Sequence, residues 1–201
     1  MDAWIDIRRK ARQVHEDALA KTNGDRRACA LVAAALEKED DLEIRYFEAG
    51  TTFGPGVYGL LERENGIVNV LKNQAPEDEV VVIAHEIGHF YLHRDATNAV
   101  TIRAPGLGGD PIESGAGKVE GYSPRERKEV QADIFAGEFL CPSDWLRDQF
   151  VAHDKRPADI AGELGLPRHV VLNQMIRALL LPPLTPAPPP SAGGVLGLDD
   201  S

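Results

Sequence analysis

The chain has 201 residues, which is enough for one globular domain and an appendage, and its 43% hydrophobic and 27% charged residues exclude a chain that is disordered throughout. The formal net charge of −10 argues against a surface that binds nucleic acid or anionic membrane as a whole, because such binding depends on clustered lysine and arginine. The N-terminus lacks the apolar core of a signal peptide, and no apolar run approaches the roughly 20 residues of a membrane-spanning helix. Two distant cysteines, Cys29 and Cys141, form no metal clip, and their apolar neighbours predict buried thiols in a reducing cytoplasm.

Two helices are predicted at the N-terminus. Apolar residues spaced by three and four indicate an amphipathic helix over residues 3–20. Gly24 interrupts this pattern, and Asp25 is expected to cap a second helix that ends near Lys38. Alanine and leucine on one side of the second helix predict that it packs against the protein core.

A small antiparallel sheet and a core helix are expected next. Apolar and charged residues alternate around Ile44, which indicates a strand. Two β-prone runs, 57–61 and 67–71, flank the dipeptide Asn65-Gly66, which predicts a hairpin with a type I′ turn. Pro76 then begins a helix with an acidic first turn. Because most of its later residues are apolar, we expect this helix to lie in the core.

The second half of the chain predicts a loop, further helices and a tail. Residues 94–121 contain six glycines and show no periodicity, so they are expected to form a mobile loop or an irregular hairpin. Ser123 and Glu126 form a capping box at the start of a helix that ends near Leu140, and a short helix is expected around residues 143–151. Two short helices separated at Gly165 give a helix-turn-helix-like segment, and the proline-rich tail after it is expected to be extended or to link to a further domain. We therefore expect a main domain (1–152), a helix-turn-helix-like subdomain (153–181) and a tail (182–201).

The core helix contains an HExxH motif, His85-Glu86-Ile87-Gly88-His89. Two histidines at i and i+4 lie on one face of a helix, about 6 Å apart along its axis, so their imidazoles can bind one zinc ion. Glu86 is the predicted general base, which takes a proton from the attacking water and delivers it to the leaving amine. The alternative is a pair of histidines packed in the core, but such a group would be costly to bury without partners.

A catalytic zinc ion needs a third protein ligand. His93 lies eight residues after His85, about 12 Å along the helix, which is too far for one ion to bind all three histidines. His93 is therefore expected to contact helix carbonyls or to support a metal ligand. Glu129 and Asp133 share a face of the next helix, so Glu129 is the predicted ligand and Asp133 the predicted acceptor for the outer N–H of a zinc-bound histidine. The alternative for both is a solvated charged face, and Glu126 is a rival ligand that its capping role explains better.

Stabilisation of a developing oxyanion requires a hydrogen-bond donor. Three side chains are candidate donors: Tyr122, which comes just before the ligand helix, and Tyr91 and His93, which come late in the motif helix. The sequence does not choose among them, and Tyr122 is equally well explained as a loop or packing residue.

Three motifs follow one another along the chain: the HExxH motif at 85–89, the run Glu129-x-x-Ala132-Asp133-x-Phe135-Ala136, and Leu140-x-Pro142. Together they resemble the ImmA/IrrE family of zinc metallopeptidases, and the resemblance covers residues 3–181. It implies a compact gluzincin with an α+β, zincin-like fold: a small antiparallel sheet, the HExxH core helix, a second ligand helix and a helix-turn-helix-like C-terminal part. Members usually carry Asn at position 133 and Met at position 141, and the loop at 94–121 is long for the family, which leaves the substrate preference open.

The resemblance implies a zinc-dependent endopeptidase that cleaves a regulatory protein, typically a helix-turn-helix repressor, in a stress-response, phage or mobile-element circuit. An alternative is a zinc-stabilised sensor or interaction module that binds a DNA-binding partner without cleaving it. Glu86 favours the enzyme, because metal binding alone does not require this residue. A third interpretation, a DNA-binding regulator, is disfavoured because residues 153–181 contain four lysines and arginines against three acidic residues. We expect this segment to have a structural or protein-docking role.

Overall fold

The computed structural model describes residues 3–39, 42–50, 53, 56–93, 98–101 and 124–184, and these form a mixed α+β structure that is mostly helical. The helices are α1 (Ala3–Lys21), α2 (Ala28–Lys38), α3 (Pro76–Leu92), α4 (Pro124–Leu140), α5 (Ser143–Val151), α6 (Pro157–Leu164) and α7 (Arg168–Leu180). The strands are β1 (Glu43–Phe47), β2 (Gly59–Glu62), β3 (Ile67–Leu71) and β4 (Asn98–Thr101). Every helix and strand that the sequence predicts within these ranges is present, whereas β4 was not predicted.

The start of α2 differs from the prediction. The N-cap residue of α2 is Arg27, and no side chain caps the helix. Asp25 instead accepts a hydrogen bond from the Arg27 backbone N–H at 2.9 Å and pairs with the Arg27 guanidinium at 2.6 Å. The predicted Asp25 cap is therefore wrong, because the aspartate is held by a residue that precedes the first helical turn.

The four strands form one sheet in the order β1-β3-β2-β4. β2 pairs antiparallel with both β3 and β4, as expected for a hairpin, but β1 pairs parallel with β3. The predicted antiparallel sheet is thus corrected to a mixed one, because the chain after β1 crosses over before the β2–β3 hairpin begins. The hairpin turn also differs from type I′: residues Arg63–Asn65 form a short 3-10 helix, and Gly66 alone adopts a left-handed conformation, with φ of 63°.

α3 lies between the sheet and α4, and it contacts β2, β3 and β4 on one side and α4 on the other. The two helices approach closely at Gly88, where an added Cβ would lie 3.1 Å from the Ala132 carbonyl oxygen. Phe135 and Phe139 of α4 are fully buried, and Cδ1 of Phe135 would lie 3.2 Å from the same added Cβ. This contact holds the two predicted motif helices side by side, as the site requires.

The C-terminal helices α6 and α7 are separated at Gly165, which has a φ of 65°, as predicted for the helix-turn-helix-like segment. Their buried apolar residues, such as Ile160 and Val171, belong to the same continuous cluster as those of α3 and α4. The predicted cap at Ser123, most of the loop at 94–121 and residues 185–201 of the tail lie outside the described residues.

The two cysteines differ in environment. Cys141 is buried, as predicted, and burial raises the pKa of its thiol. Cys29 is exposed, so the prediction of a buried thiol there is wrong: it sits at the second position of α2, whose buried face begins with its neighbour Ala28. Within the described ranges, no helix combines the length and apolar character that crossing a membrane requires.

Candidate metal centre

The predicted ligands come together between α3 and α4. His85 and His89 of α3 are buried, with 5% and 1% of their surface exposed, and Glu129 of α4 is partly buried beside them. The two Nε2 atoms are 3.0 Å apart. Oε2 of Glu129 lies 3.3 Å from Nε2 of His85 and 3.6 Å from Nε2 of His89. We call these three residues the triad.

The triad has the dimensions of a tetrahedral metal site. A zinc ion with bonds of about 2.0–2.1 Å separates its ligand atoms by about 3.3–3.4 Å, because the edge of a tetrahedron is about 1.6 times the bond length. The three separations in the triad, 3.0, 3.3 and 3.6 Å, surround this value. These three residues could therefore hold a metal ion, and two imidazoles with one carboxylate leave the fourth position of a tetrahedron open.

Asp133 orients His85. Its Oδ1 lies 2.8 Å from His85 Nδ1, so the imidazole donates its Nδ1–H to the carboxylate and presents Nε2 to the triad. Burial lowers the pKa of His85, but the hydrogen bond and charge of Asp133, together with Glu129, outweigh burial and raise it to about 10. A proton and a metal cation compete for the same Nε2 lone pair, and both are favoured by these carboxylates.

The other two members of the triad are held in the forms that bind metal. Burial is the largest effect on His89 and lowers its pKa to about 4, which keeps the imidazole neutral. Burial raises the pKa of Glu129, but its close contacts with His85 and His89 outweigh burial and lower the value to about 2. A neutral imidazole and an ionised carboxylate are the ligand states that a divalent cation requires.

Glu86, the predicted base, is fully buried beside β2, and it lies near enough to His85 for its charge to help raise the pKa of that imidazole. A Cβ added at Gly59 of β2 would lie 2.8 Å from Oε1 of Glu86 and 2.6 Å from Cγ1 of Val82. Only glycine therefore leaves room for the glutamate between the helix and the strand. Gly59 is a residue that sequence reasoning missed, and a glycine within a β-prone run was the signal that indicated a close approach.

His93 does not join the triad, as the helical spacing predicts. It is the C-cap residue of α3, and its Nδ1 lies 2.9 Å from Nδ1 of His89, on the side of that ring away from the triad. Its Nε2 lies 2.9 Å from Oε1 of Gln131. Both ring nitrogens are thus engaged within the protein, and Gln131 is a second residue that the sequence analysis missed.

Of the remaining candidates, the two that the structure describes, Tyr91 and Glu126, do not join the triad. The Tyr91 hydroxyl donates to Oε1 of Glu39 at 2.7 Å, and burial, followed by Glu39, raises its pKa, so its proton is directed at that carboxylate rather than at the triad. Tyr122 lies outside the described residues. Glu126, the rival ligand, is exposed one turn before Glu129 and is not among the residues that converge with the histidines.

Arg63 ties the hairpin to the end of the motif helix. Its Nη2 donates to the backbone carbonyls of His89 and Phe90, both at 2.7 Å, and its guanidinium stacks 5.1 Å from the centre of the Phe90 ring. A cation at the C-terminal carbonyls of a helix stabilises the last turn. The turn that carries His89 is therefore fixed from the sheet side as well as from α4.

No protein-family model and no curated protein matches this chain. The resemblance to ImmA/IrrE peptidases consequently depends on the three motifs and on the arrangement of the triad, and it stays a hypothesis.

Proposed function

We propose that the protein is a zinc-dependent endopeptidase of the ImmA/IrrE type with a zincin-like fold. The observation that carries the proposal is the triad itself, whose three ligand atoms have the separations of a tetrahedral zinc site. Two imidazoles and one carboxylate with an open fourth position are the donor set of hydrolytic zinc enzymes. A glutamate next to the first histidine supplies the acid–base group that such hydrolysis needs.

The residues of the chain have distinct roles in this proposal. Bound zinc would supply Lewis acidity, which lowers the pKa of water and polarises the scissile carbonyl. Glu86 accepts the proton of the attacking water on its carboxylate and donates it to the departing amine. Gly59 provides the space that holds Glu86, and Asp133 keeps the Nε2 of His85 directed at the metal.

The substrate class is also part of the proposal: a regulatory protein, with a helix-turn-helix repressor in a stress-response, phage or mobile-element circuit as the expected case. The surface of α7 supports contact with protein rather than DNA. Leu172, Ile176, Leu179 and Leu180 are at least one-third exposed, where a DNA-reading helix would present polar and basic side chains. Both cysteines are free thiols, which supports the cytoplasm as the proposed compartment.

A peptide digest tests the proposed activity. The full-length protein is incubated with zinc and a proteome-derived peptide library, and new termini are identified by mass spectrometry, alongside any repressor encoded next to its gene. The wild type is expected to cleave at a restricted set of sites. Glu86→Gln is expected to bind zinc but to cleave at least about 100-fold more slowly, because proton transfer is worth that much.

Glu163→Gln is the matched control, since Glu163 is an exposed residue of α6 that pairs only with Lys155 in the contacts described. It should cleave like the wild type. Equal cleavage by wild type and Glu86→Gln would refute the mechanism. Zinc binding by the wild type without cleavage of any peptide or repressor would contradict the endopeptidase and support the non-cleaving interaction module instead.

A further inference from the structure

A line of hydrogen bonds leads away from the triad through the far side of His89. Nδ1 of His89 lies 2.9 Å from Nδ1 of His93, and Nε2 of His93 lies 2.9 Å from Oε1 of Gln131. The two histidines are buried, with 1% and 7% of their surface exposed. Each contact therefore joins one donor to one acceptor in a region where an unmatched group would be costly.

Which group donates in each of these hydrogen bonds follows from which ring nitrogens carry a proton. Gln131 presents a carbonyl oxygen, which can only accept, so the proton of His93 lies on Nε2. Nδ1 of a neutral His93 is then an acceptor, and the contact at 2.9 Å requires a proton on Nδ1 of His89. A neutral His89 protonated on Nδ1 has its lone pair on Nε2, the atom that belongs to the triad.

The opposite direction is incompatible with metal binding. It would place a proton on Nε2 of His89, which lies 3.0 Å from Nε2 of His85 and 3.6 Å from Oε2 of Glu129. A protonated ring nitrogen has no lone pair to donate to a cation. His93 alone cannot choose between the two directions, because a neutral imidazole can carry its proton on either nitrogen. The choice depends on the acceptor at the end of the line.

We propose that His93 and Gln131 are positioning residues of the metal centre, in which the Gln131 carbonyl, acting through His93, fixes the tautomer and ring orientation of His89. The inference rests on the metal centre of the proposed function but not on peptide cleavage. α4 then orients both histidines of α3, since it supplies Asp133 to His85 directly and Gln131 to His89 through one imidazole. Glu129, the third ligand, comes from the same helix.

Zinc affinity of purified full-length variants, measured by competition with a chromogenic chelator, tests the relay without any substrate. Gln131→Met removes the acceptor but keeps the length of the side chain, and it is expected to weaken zinc binding about 10-fold, the lower end of the range for residues that orient metal ligands. Gln131→Glu offers His93 another oxygen acceptor and should restore affinity to within about threefold of the wild type. His93→Leu interrupts the line of hydrogen bonds next to His89 and should weaken zinc binding about 10- to 100-fold.

Gln149→Met is the matched control, because the side chain of Gln149 on α5 bonds only to the neighbouring Asp148 in the contacts described. It should leave the zinc affinity unchanged. Unchanged affinity in Gln131→Met, or an equal loss in Gln131→Met and Gln131→Glu, would overturn the relay, because neither result depends on an oxygen acceptor at this position.

Nitrogen-15 NMR of the histidine rings in the zinc-loaded protein shows which ring nitrogens carry a proton. If His93 and Gln131 only packed against the site, they would not determine the positions of these protons. The proposal predicts a proton on Nε2 of His93 and on Nδ1 of His89 in the wild type and in Gln131→Glu. A proton on Nδ1 of His93 in the wild type would overturn it. Normal zinc binding with these protonation states but no peptide cleavage would refute the proposed function and leave the relay standing.

Discussion

α4 carries the buried carboxylate of Glu138 and, nine residues earlier, the partly buried carboxylate of Glu129, and the two are neutralised in different ways. Glu138 is 1% exposed and bonds to Arg12 at 2.6 Å, to Ser143 Oγ at 3.1 Å and to Gln174 at 3.0 Å, with Arg8 3.6 Å away. We call these five residues the Glu138 cluster. Glu129 is surrounded instead by His85 and His89 of the triad.

The comparison distinguishes Glu138, a carboxylate that stabilises the fold, from Glu129, the predicted metal ligand. In the Glu138 cluster, the arginines of α1 are permanently charged, so the protein itself supplies the cations that a buried carboxylate requires. In the triad, the partners are imidazoles that are neutral in their metal-binding form, so the matching positive charge comes from a proton or from a metal ion. The experiments below are designed to break one region and leave the other intact.

The largest stability effect is expected in the Glu138 cluster. Glu138→Gln removes the charge but keeps the shape, and it leaves the buried Arg8 without its counter-ion. We expect the free energy of unfolding, measured by urea denaturation, to fall by about 3–5 kcal/mol, the usual cost of breaking a buried ion pair. The stabilisation by added zinc should persist in this variant. A loss below about 1 kcal/mol would mean that the cluster is solvated like a surface ion pair.

The stability of the protein should decrease in acid because of His15, which contacts the same end of α4 as the Glu138 cluster. This residue of α1 is 2% exposed, and its Nδ1 lies 2.7 Å from the Phe139 carbonyl oxygen. Burial is the largest effect and lowers its pKa from 6.5 to about 4. The unfolded chain therefore binds a proton below pH 6.5 that the folded protein does not accept until about pH 4. This group alone should lower the unfolding free energy by about 3 kcal/mol between these pH values.

Urea denaturation across this pH range checks the prediction with two variants. His15→Gln should flatten the dependence between pH 6.5 and 4, whereas Gln149→Met, which changes no titratable group, should not. An unchanged pH profile in His15→Gln would show that other groups cause the acid sensitivity.

Zinc should stabilise the wild type through the triad. At a free zinc concentration of 100 times its Kd, the free energy of unfolding should rise by about 2.7 kcal/mol relative to the chelator-treated protein. Glu129→Gln should lose most of this increment, because an amide oxygen is a weaker ligand for zinc than a carboxylate. Thermal denaturation with zinc and with chelator measures the difference. An equal increment in Glu129→Gln would place the zinc outside the triad.

A smaller loss of stability is expected from a substitution at Gly59, where β2 passes beside Glu86. Gly59→Ala introduces a methyl group 2.6 Å from Cγ1 of Val82 and 2.8 Å from Oε1 of Glu86, so we expect a loss of about 1–3 kcal/mol and slower cleavage. Gly162→Ala is the control, because open space surrounds Gly162 on α6 and alanine favours a helix by about 1 kcal/mol. Equal stability of the two variants would show that Gly59 is not needed to make room for Glu86.

Features that depend on the spacing of residues within one helix could be predicted from the sequence. His85 and His89 are one turn apart, as are Glu129 and Asp133, and each pair has to share a face. The sequence predicts that Asp133 pairs with one of the two motif histidines, and in the structure Oδ1 of Asp133 lies 2.8 Å from Nδ1 of His85. The exclusion of His93 from the set of ligands is also predicted, from the rise of the helix alone.

Features that depend on how elements meet could not be predicted. Gln131 reaches His93 only because α3 and α4 lie side by side, and Gly59 matters only because β2 passes beside Glu86. The parallel pairing of β1 with β3 is likewise a property of the whole chain path, since the local pattern of a strand does not state the direction of its neighbour. Such contacts join residues that are distant in sequence. A glycine within a β-prone run signals a close approach, but the sequence does not say which residue approaches it.

Metal content is the most direct test of the central claim that the triad holds zinc. The wild type, His89→Ala and Glu138→Gln are each loaded with zinc, dialysed and analysed by mass spectrometry of the metal. The account predicts about one zinc ion per chain in the wild type and in Glu138→Gln, and nearly none in His89→Ala, because a tetrahedral site that loses one of three protein ligands binds zinc too weakly to survive dialysis. Zinc retained equally by His89→Ala, or absent from the wild type, would contradict it.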